Sequence, residues 1–226
     1  MNLQLHLFAP KTDRYSSFQD LNNQCFELWK ETWSNLYRKA KSESAFKIDD
    51  YYRQDFVSTL VYDNQVAALW LNTSFSLGNL AAREHSYFKF YDDDVINWLR
   101  NRKIEDVLSV EFLTANPKLL RAHRAFAFIK AVGPINSQIL QNSPQQAMIA
   151  TARTDVPAAR VGYDVGWECV KGNTLQRGFP CDLVVCPKTS IQPHPDQEVQ
   201  SFAEQVWANR IDSIFPQIRT TLKIAA

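Results

Sequence analysis

Hydrophobic residues follow two different spacings near the start of the chain. Leu3, Leu5 and Leu7 alternate with polar residues, which predicts a half-buried strand because successive strand side chains point to opposite faces. Apolar residues then recur every three or four positions over residues 16–40, which predicts a long amphipathic helix. Large aromatic side chains lie on or near its apolar stripe, so they either pack against a sheet or line a ligand groove.

Two apolar runs in the next stretch predict a β-hairpin. Residues 56–62 and 65–75 are separated by Asp63 and Asn64, a pair that favours tight hairpin turns. The pattern then predicts, in chain order, a helix that begins at Asp92 or Asp93, a central strand over residues 104–113, a helix over 118–140 and a buried strand over 147–152.

A compact unit follows the buried strand. Thr154 or Asp155 can cap a short helix that holds Pro157 in its first turn, where the missing N–H costs nothing. Gly166 is expected to end this helix, because glycine readily adopts the left-handed conformation of a helix C-terminus.

The remaining residues predict a closing hairpin and a final helix. Residues 167–170 and 182–186 are expected to be strands, with a turn at Gly172 and Asn173. After a proline-containing linker, an amphipathic helix is predicted over residues 199–214.

The unit over residues 146–167 resembles the second half of the GNAT (GCN5-related N-acetyltransferase) fold. That family often reads Asn-x-x-Ala-x-x-Leu-Tyr-x-x-x-Gly-Phe after its fifth strand. The matching positions in this chain are Asp155 for Asn, Ala158 for Ala, Val161 for Leu, Gly162 for Tyr and Gly166-Trp167 for Gly-Phe. Tyr163 therefore follows the family's tyrosine position one residue late.

The resemblance implies an α/β fold with a mixed, mostly antiparallel central sheet flanked by helices. It covers roughly residues 50–186 in element order. We expect one acyltransferase-like domain over residues 1–190, and a linker with an amphipathic helix over 191–226 that packs on it or forms a dimer face.

The resemblance also implies where the chemistry of acyl transfer would sit. Backbone N–H groups of Leu113, Thr114 and Ala115 would bind the pantetheine and carbonyl where two strands diverge. Glu111 is the candidate base, with a pKa raised if it is buried, or else it pairs with a basic residue on the other face. Tyr163 is the candidate acid for the leaving thiolate, or else a surface tyrosine.

A phosphate-binding turn of the family is altered in this chain. Its Gln/Arg-x-x-Gly-x-Gly/Ala signature lets backbone N–H groups approach a pyrophosphate. Here Arg121 is kept, while Arg124 and Phe126 replace the glycines. Arg121 and Arg124 either bind a phosphate or form a solvated basic face. Asp155 either contributes to the cofactor site or only caps a helix.

These features resemble most the acyl-homoserine-lactone synthases and long-chain N-acyl amino acid synthases. The implied function is transfer of an acyl group from acyl-CoA or acyl-carrier-protein phosphopantetheine to a small-molecule amine such as an amino acid. Aromatic residues over 18–37 and 87–98 would suit a long acyl chain. The alternatives are a catalytically inactive binding domain of the same fold and a structural domain that dimerises through its last helix.

Composition limits the classes of partner that the chain is expected to bind. A net charge of +1, from 25 basic and 24 acidic residues, gives no support to nucleic-acid binding. The chain holds no 18-residue apolar run, so no membrane span is expected. Four scattered cysteines and four scattered histidines suggest neither a zinc site nor a hydrolase triad. We therefore expect a reduced, cytoplasmic protein with no bound metal and no tightly bound cofactor.

Overall fold

The computed structural model describes residues 3–11, 17–42, 46–122 and 128–215. The strands are β1 Leu3–Phe8, β2 Phe56–Tyr62, β3 Gln65–Asn72, β4 Ser74–Ser76, β5 Asp106–Ala115, β6 Ala147–Arg153, β7 Glu168–Gln176, β8 Phe179–Pro187 and β9 Ile211–Asp212. The helices are α1 Gln19–Lys39, α2 Asp49–Tyr52, α3 Leu80–Arg83, α4 Asp93–Asn101, α5 Pro117–Ala122, α6 Phe128–Asn142, α7 Ala158–Tyr163 and α8 Gln197–Ala208, with 3-10 turns at Ser86–Phe90 and Lys188–Ser190.

All the described strands belong to one sheet. Its order is β7-β8-β6-β5-β3-β2-β1-β9, and the short β4 pairs with the first half of β5. The β5–β6 and β1–β9 pairs are parallel, and the other pairs are antiparallel. This mixed, mostly antiparallel sheet with helices on both faces confirms the predicted fold class.

Alternating strand residues pack into separate cores on the two faces. Helices α6, α7 and α8 share one core with Leu108, Ala150 and Val184. On the opposite face, α1 and α2 pack around Leu69 and Leu71 of β3. The segment from β4 to α4 covers that same face over β6 and β8.

The central hairpin has the predicted turn. β2 and β3 are antiparallel, and Asp63 and Asn64 between them have φ angles of 45° and 63°. Such left-handed angles match the strand twist in a tight hairpin, which is why an Asp-Asn pair predicts it well. Asp92 likewise caps α4 as predicted, since its carboxylate accepts a 3.3 Å hydrogen bond from the N–H of Val95.

The closing hairpin turns at a different place from the one predicted. Gly172 and Asn173 lie inside β7, where the pairing with β8 changes register. The turn falls at Arg177 and Gly178, whose φ angles are 52° and 85°. A Cβ on Gly178 would lie 3.2 Å from the Cβ of Ala40, so the turn packs closely against the end of α1.

Two predicted helices have other limits in the structure. α8 ends at Ala208, and Ile211–Asp212 then forms β9, which pairs in parallel with β1 instead of extending the helix. The helix predicted over 118–140 is described as α5 and α6, while residues 123–127 lie outside the described part.

The predicted cap of α7 is wrong. Pro157 occupies the N-cap position, and no side chain caps this helix. Asp155 instead forms an ion pair with Arg153, in which two nitrogens donate to the two carboxylate oxygens at 2.9 and 2.6 Å. A bidentate pair of this kind is stronger than a neutral capping hydrogen bond.

β5 contains a bulge at Phe112. The φ angle of Phe112 is 54°, and the pairing of β5 with β3 shifts between Leu69 and Leu71. A left-handed bulky residue is strained, and such strain is concentrated at functional sites. Because of the bulge, Glu111 and Phe112 both face the α1 side of the sheet instead of alternating.

Candidate active site

A gap separates the second halves of β5 and β6. The two strands pair only from Val107 with Ala147 to Val110 with Ala150. Beyond this point β5 pairs with β3 and β6 pairs with β8. The strands therefore diverge beside the segment where the family resemblance placed the thioester.

A cavity of about 140 Å³ lies at this gap against α6 and α7. Its walls are mainly apolar and include Leu113, Val132 and Trp167. Gly133 brings α6 close to α7, since a Cβ there would lie 2.4 Å from the carbonyl oxygen of Val161. We refer to this space as cavity 1.

Cavity 1 contains an amide oxygen without a partner. Asn136 is only 3% exposed, and its side-chain Oδ1 has no hydrogen-bond partner among the residues that the structure describes. An unsatisfied buried polar atom is costly, so a donor group from a ligand would stabilise this position. A secondary amide such as those of pantetheine would supply that group.

A second cavity, of about 80 Å³, lies on the α1 side of the sheet. It is bordered by Tyr37 of α1, by Tyr87 and by Glu111. The Arg177 side chain enters from the β7–β8 turn. We refer to this space as cavity 2.

The two cavities meet at the gap. The residues that line both are Trp33, Val110, Phe112, Thr151 and Arg153. The gap thus joins cavity 1, which reaches from α6 and α7 to Trp33 and Leu36 of α1, with cavity 2 on the α1 face, and we call it the passage. Two substrates that enter from opposite faces could react there.

Glu111 lies in cavity 2 beside the passage. One of its carboxylate oxygens accepts a 2.8 Å hydrogen bond from the hydroxyl of Ser109. Burial raises the pKa of Glu111 to about 7, although the Ser109 hydrogen bond and the charge of Arg177 oppose that rise. A carboxylate with such a pKa can take up and release a proton near neutral pH.

Two arginines bring positive charge to cavity 2. Arg153 is neutralised by Asp155, and its guanidinium lies 4.3 Å from the ring centre of Phe179. Arg177 instead donates a 2.9 Å hydrogen bond to the hydroxyl of Tyr37. Burial opposes the charge of Arg177, but Tyr37 and nearby carboxylates raise its pKa above the usual value.

Trp33 fixes α1 against the edge of the passage. Its indole N–H donates a 2.8 Å hydrogen bond to the hydroxyl of Thr114, and that hydroxyl donates to the carbonyl oxygen of Phe112 at 2.6 Å. The Trp33 and Phe112 rings meet edge to face, with centroids 5.1 Å apart. The bulged segment of β5 is therefore tied to α1.

The structure brings together some of the predicted site residues. Glu111 lines cavity 2 and Leu113 lines cavity 1, while the hydroxyl of Thr114 is buried against Trp33. Ala115 pairs with Ala68 of β3. Glu111 and Leu113 thus border the passage, while Thr114 and Ala115 line neither cavity, and the roles that the resemblance implied for all four stay predictions.

The other predicted residues lie elsewhere. Tyr163 lines neither cavity, and its hydroxyl donates a 2.9 Å hydrogen bond to Asp182. Asp155 is exposed, lines neither cavity and contacts the site through its ion pair with Arg153. Arg121 lies in the last turn of α5, and Arg124 lies outside the described residues.

Sequence reasoning missed the polar residues contributed by distant segments. Arg177, Tyr37 and Thr151 all line cavity 2. Along the chain, Tyr37 lies 140 positions from Arg177 and 114 from Thr151, and Thr151 lies 26 positions from Arg177. Gly178 can take the left-handed conformation of a tight turn, and this is the signal in the sequence that could have placed Arg177 at the site.

The described residues contain neither a metal-binding cluster nor a membrane-spanning helix. In residues 3–11, 17–42, 46–122 and 128–215, no group of three or more His, Cys, Asp or Glu side chains is arranged to hold a metal ion. Over the same ranges, no helix is both long and apolar enough to cross a bilayer.

Comparison with known proteins defines the fold. No protein-family model and no curated protein sequence matches the chain. FeeM, an N-acyl amino acid synthase from uncultured soil microbes, matches with a TM-score of 0.56 at 7% identity, over 90% of this chain and 96% of FeeM. The CoA-dependent acyl-homoserine lactone synthase BjaI matches with a TM-score of 0.58 at 10% identity, over 94% of this chain and 93% of BjaI. These likenesses confirm the GNAT fold.

Proposed function

We propose that this GNAT-fold protein is an N-acyltransferase, which moves an acyl group from a pantetheine thioester to a small-molecule amine. The observation that carries the proposal is the passage between β5 and β6, where cavities from both faces meet beside Glu111. A direct transfer needs two bound substrates that touch at one point, and much of its rate comes from that juxtaposition.

The thioester is assigned to cavity 1. Its apolar walls suit an acyl chain and the pantetheine arm, and the unpaired amide oxygen of Asn136 suits an arm N–H. Leu113, Thr114 and Ala115 offer their main chain to the carbonyl, and Arg121, Arg124 and the α5 segment are the candidates for the phosphates. BjaI, whose solved structure holds isopentyl-CoA and SAM, supports a coenzyme A donor.

The amine is assigned to cavity 2. Its nitrogen attacks the thioester carbon, the C–N bond forms and the C–S bond breaks. Glu111 takes the proton from nitrogen and is placed to return it to the departing thiolate. Tyr163, the acid expected from sequence, has no supporting contact with the passage. Thr151 lies at the junction and can orient either reactant.

The proposal is tested by mixing the purified chain with acetyl-CoA, a long-chain acyl-CoA or a loaded acyl carrier protein, each with a panel of amines. We expect free thiol to be released only when thioester and amine are both present. Loss of this activity in Arg121→Ala plus Arg124→Ala would support the phosphate assignment. A carrier-protein donor, a homodimer and a cytoplasmic location stay predictions.

A thermal-shift measurement with the same thioesters distinguishes an active acyltransferase from a catalytically inactive binding domain. Selective binding stabilises the native state by mass action. Stabilisation by a thioester without any released thiol would identify a catalytically inactive binding domain. No stabilisation and no thiol release would refute the proposal.

A further inference from the structure

Arg177 is a cation in cavity 2 that forms no ion pair with a carboxylate in the described residues, although the charges of Asp50 and Glu111 nearby raise its pKa. No Asp or Glu oxygen lies within 4.0 Å of its guanidinium among the residues that the structure describes. Arg153, in the same cavity, has such a partner in Asp155. Removing a guanidinium from bulk water is costly unless an anion or several acceptors compensate.

The hydroxyl of Tyr37 does not compensate fully for this charge. It accepts one hydrogen bond from Arg177, and its own proton goes to no acceptor within the described part of the chain. A phenol that accepts from an arginine still has a proton to donate. The Arg177 N–H groups and the Tyr37 O–H therefore offer donors to the same anion.

Arg177 is held in place by its own turn. The carbonyl oxygen of Arg177 accepts a 2.9 Å hydrogen bond from the hydroxyl of Ser42, and Gly178 packs against Ala40. The guanidinium carbon lies 5.7 Å from the ring centre of Phe112. A fixed guanidinium is better suited to recognition than a solvated one, because less side-chain freedom is lost on binding.

We infer that Arg177 and Tyr37 form an anion subsite in cavity 2, which binds a carboxylate carried by the acceptor amine. This inference rests on the proposed function, because it takes cavity 2 as the amine site. Glu111 would face the ammonium end of the acceptor and Arg177 its acidic end. The two side chains line one small cavity and form no ion pair with each other, so each is placed to meet one end of a zwitterion.

A phosphate of the acyl donor is the other anion to consider. In a pantetheine thioester the whole length of the arm separates the phosphate from the sulfur. A donor phosphate therefore does not reach cavity 2 while the reacting carbonyl lies at the passage. The carboxylate of the acceptor fits the position of Arg177 and Tyr37. Separate KM values for donor and acceptor distinguish an acceptor carboxylate from a donor phosphate.

The test compares amino acids with their decarboxylated counterparts, such as tyrosine with tyramine and leucine with 3-methylbutylamine. Thiol release is measured with the full chain, varying acceptor and donor separately. We expect at least a tenfold preference in kcat/KM for the carboxylated members. Arg177→Gln should raise the acceptor KM about tenfold or more and remove the preference, with the donor KM changed less than twofold.

Three further variants control for folding and for a general charge effect. Arg177→Lys should restore part of the preference, and Tyr37→Phe should raise the acceptor KM severalfold. Arg100→Gln, on the exposed side of α4, should leave the kinetics unchanged. A matching melting temperature in Arg177→Gln and Arg177→Lys shows that the fold is kept.

A binding measurement separates failure of this inference from failure of the proposed function. Calorimetry with coenzyme A present compares the same amine pairs in the native chain and in Arg177→Gln. Binding that favours carboxylated amines and needs Arg177 supports the subsite even when no thiol is released. The inference would be overturned if the carboxylated and decarboxylated amines bound equally well or if neither bound. It would also be overturned if Arg177→Gln weakened the binding of both by the same factor. A raised donor KM alone would assign Arg177 to a phosphate and also overturn it.

Discussion

The hydroxyl of Ser109 donates a 2.8 Å hydrogen bond to a carboxylate oxygen of Glu111, two residues further along β5. Both side chains lie on the same face, since strand residues two apart share a face. No basic side chain lies within 4.0 Å of Glu111 in the described residues, so this hydrogen bond is its main specific support. The carboxyl group can therefore lose and regain its proton without breaking an ion pair.

Activity should depend on the ionised form of Glu111. Because burial raises the pKa of Glu111 to about 7, the rate should rise as the pH passes through 7 and then level off. Glu111→Gln keeps the size of the side chain but cannot accept the proton, so we expect a loss of about 100-fold or more in kcat. The measurement is the pH profile of kcat/KM for both proteins, and a wild-type profile that is flat between pH 5 and 8 would contradict this role.

The same carboxyl group should make stability depend on pH. Its pKa is near 4.5 when exposed and about 7 when folded, so the native state loses stability as the pH rises from about 4.5 to 7. Glu111→Gln should not show this fall in stability, because the glutamine side chain does not titrate. Its stability relative to the native chain should therefore increase by about 1–3 kcal/mol between pH 5 and pH 8. Urea unfolding at the two pH values checks this, and an unchanged difference would argue against a raised pKa.

Trp33→Phe should weaken the attachment of α1 to the passage while keeping an aromatic ring at that position. The change removes the 2.8 Å hydrogen bond to Thr114 and keeps an aromatic ring near Phe112. We expect a loss of about 1–2 kcal/mol in the free energy of unfolding, together with weaker thioester binding. Trp98→Phe is the matched control, because Trp98 packs on Arg102 away from both cavities and should not affect thioester binding.

Gly162→Ala should narrow cavity 1. A Cβ at this position would lie 2.9 Å from the Cγ of Trp167, so the indole would have to move into the cavity. We expect a cost of about 1–3 kcal/mol from overpacking, and a smaller thermal shift with an acyl thioester. In Gly78→Ala the nearest atom is 4.0 Å away, so this control should leave both quantities unchanged.

Local chemistry explains which parts of the fold could be predicted. The turn at Asp63 and Asn64 and the cap at Asp92 depend on neighbouring residues, so the sequence pattern was sufficient to find them. Gly172-Asn173 and Arg177-Gly178 are both acceptable turn pairs. The choice between them depends on how the hairpin packs against α1, which a local pattern does not contain.

The site was predictable where it depends on β5 alone. Glu111 and Leu113 lie where the two strands diverge, and the roles that the family resemblance implied for Glu111 and for Leu113 to Ala115 stay predictions. The bulge at Phe112 was not foreseen, because tertiary pairing with β3 produces it. Tyr163 lies away from the passage because one position along a helix turns a side chain by about 100°, which places Gly162 at cavity 1 instead.

A passage that is open on both faces of the sheet has a consequence for kinetic order. A thioester in cavity 1 and an amine in cavity 2 do not obstruct each other, and each product can leave on the side from which its parent came. Transfer at this point should follow a sequential mechanism through a ternary complex. Double-reciprocal plots should intersect, and labelled coenzyme A should not exchange into the acyl thioester when the amine is absent.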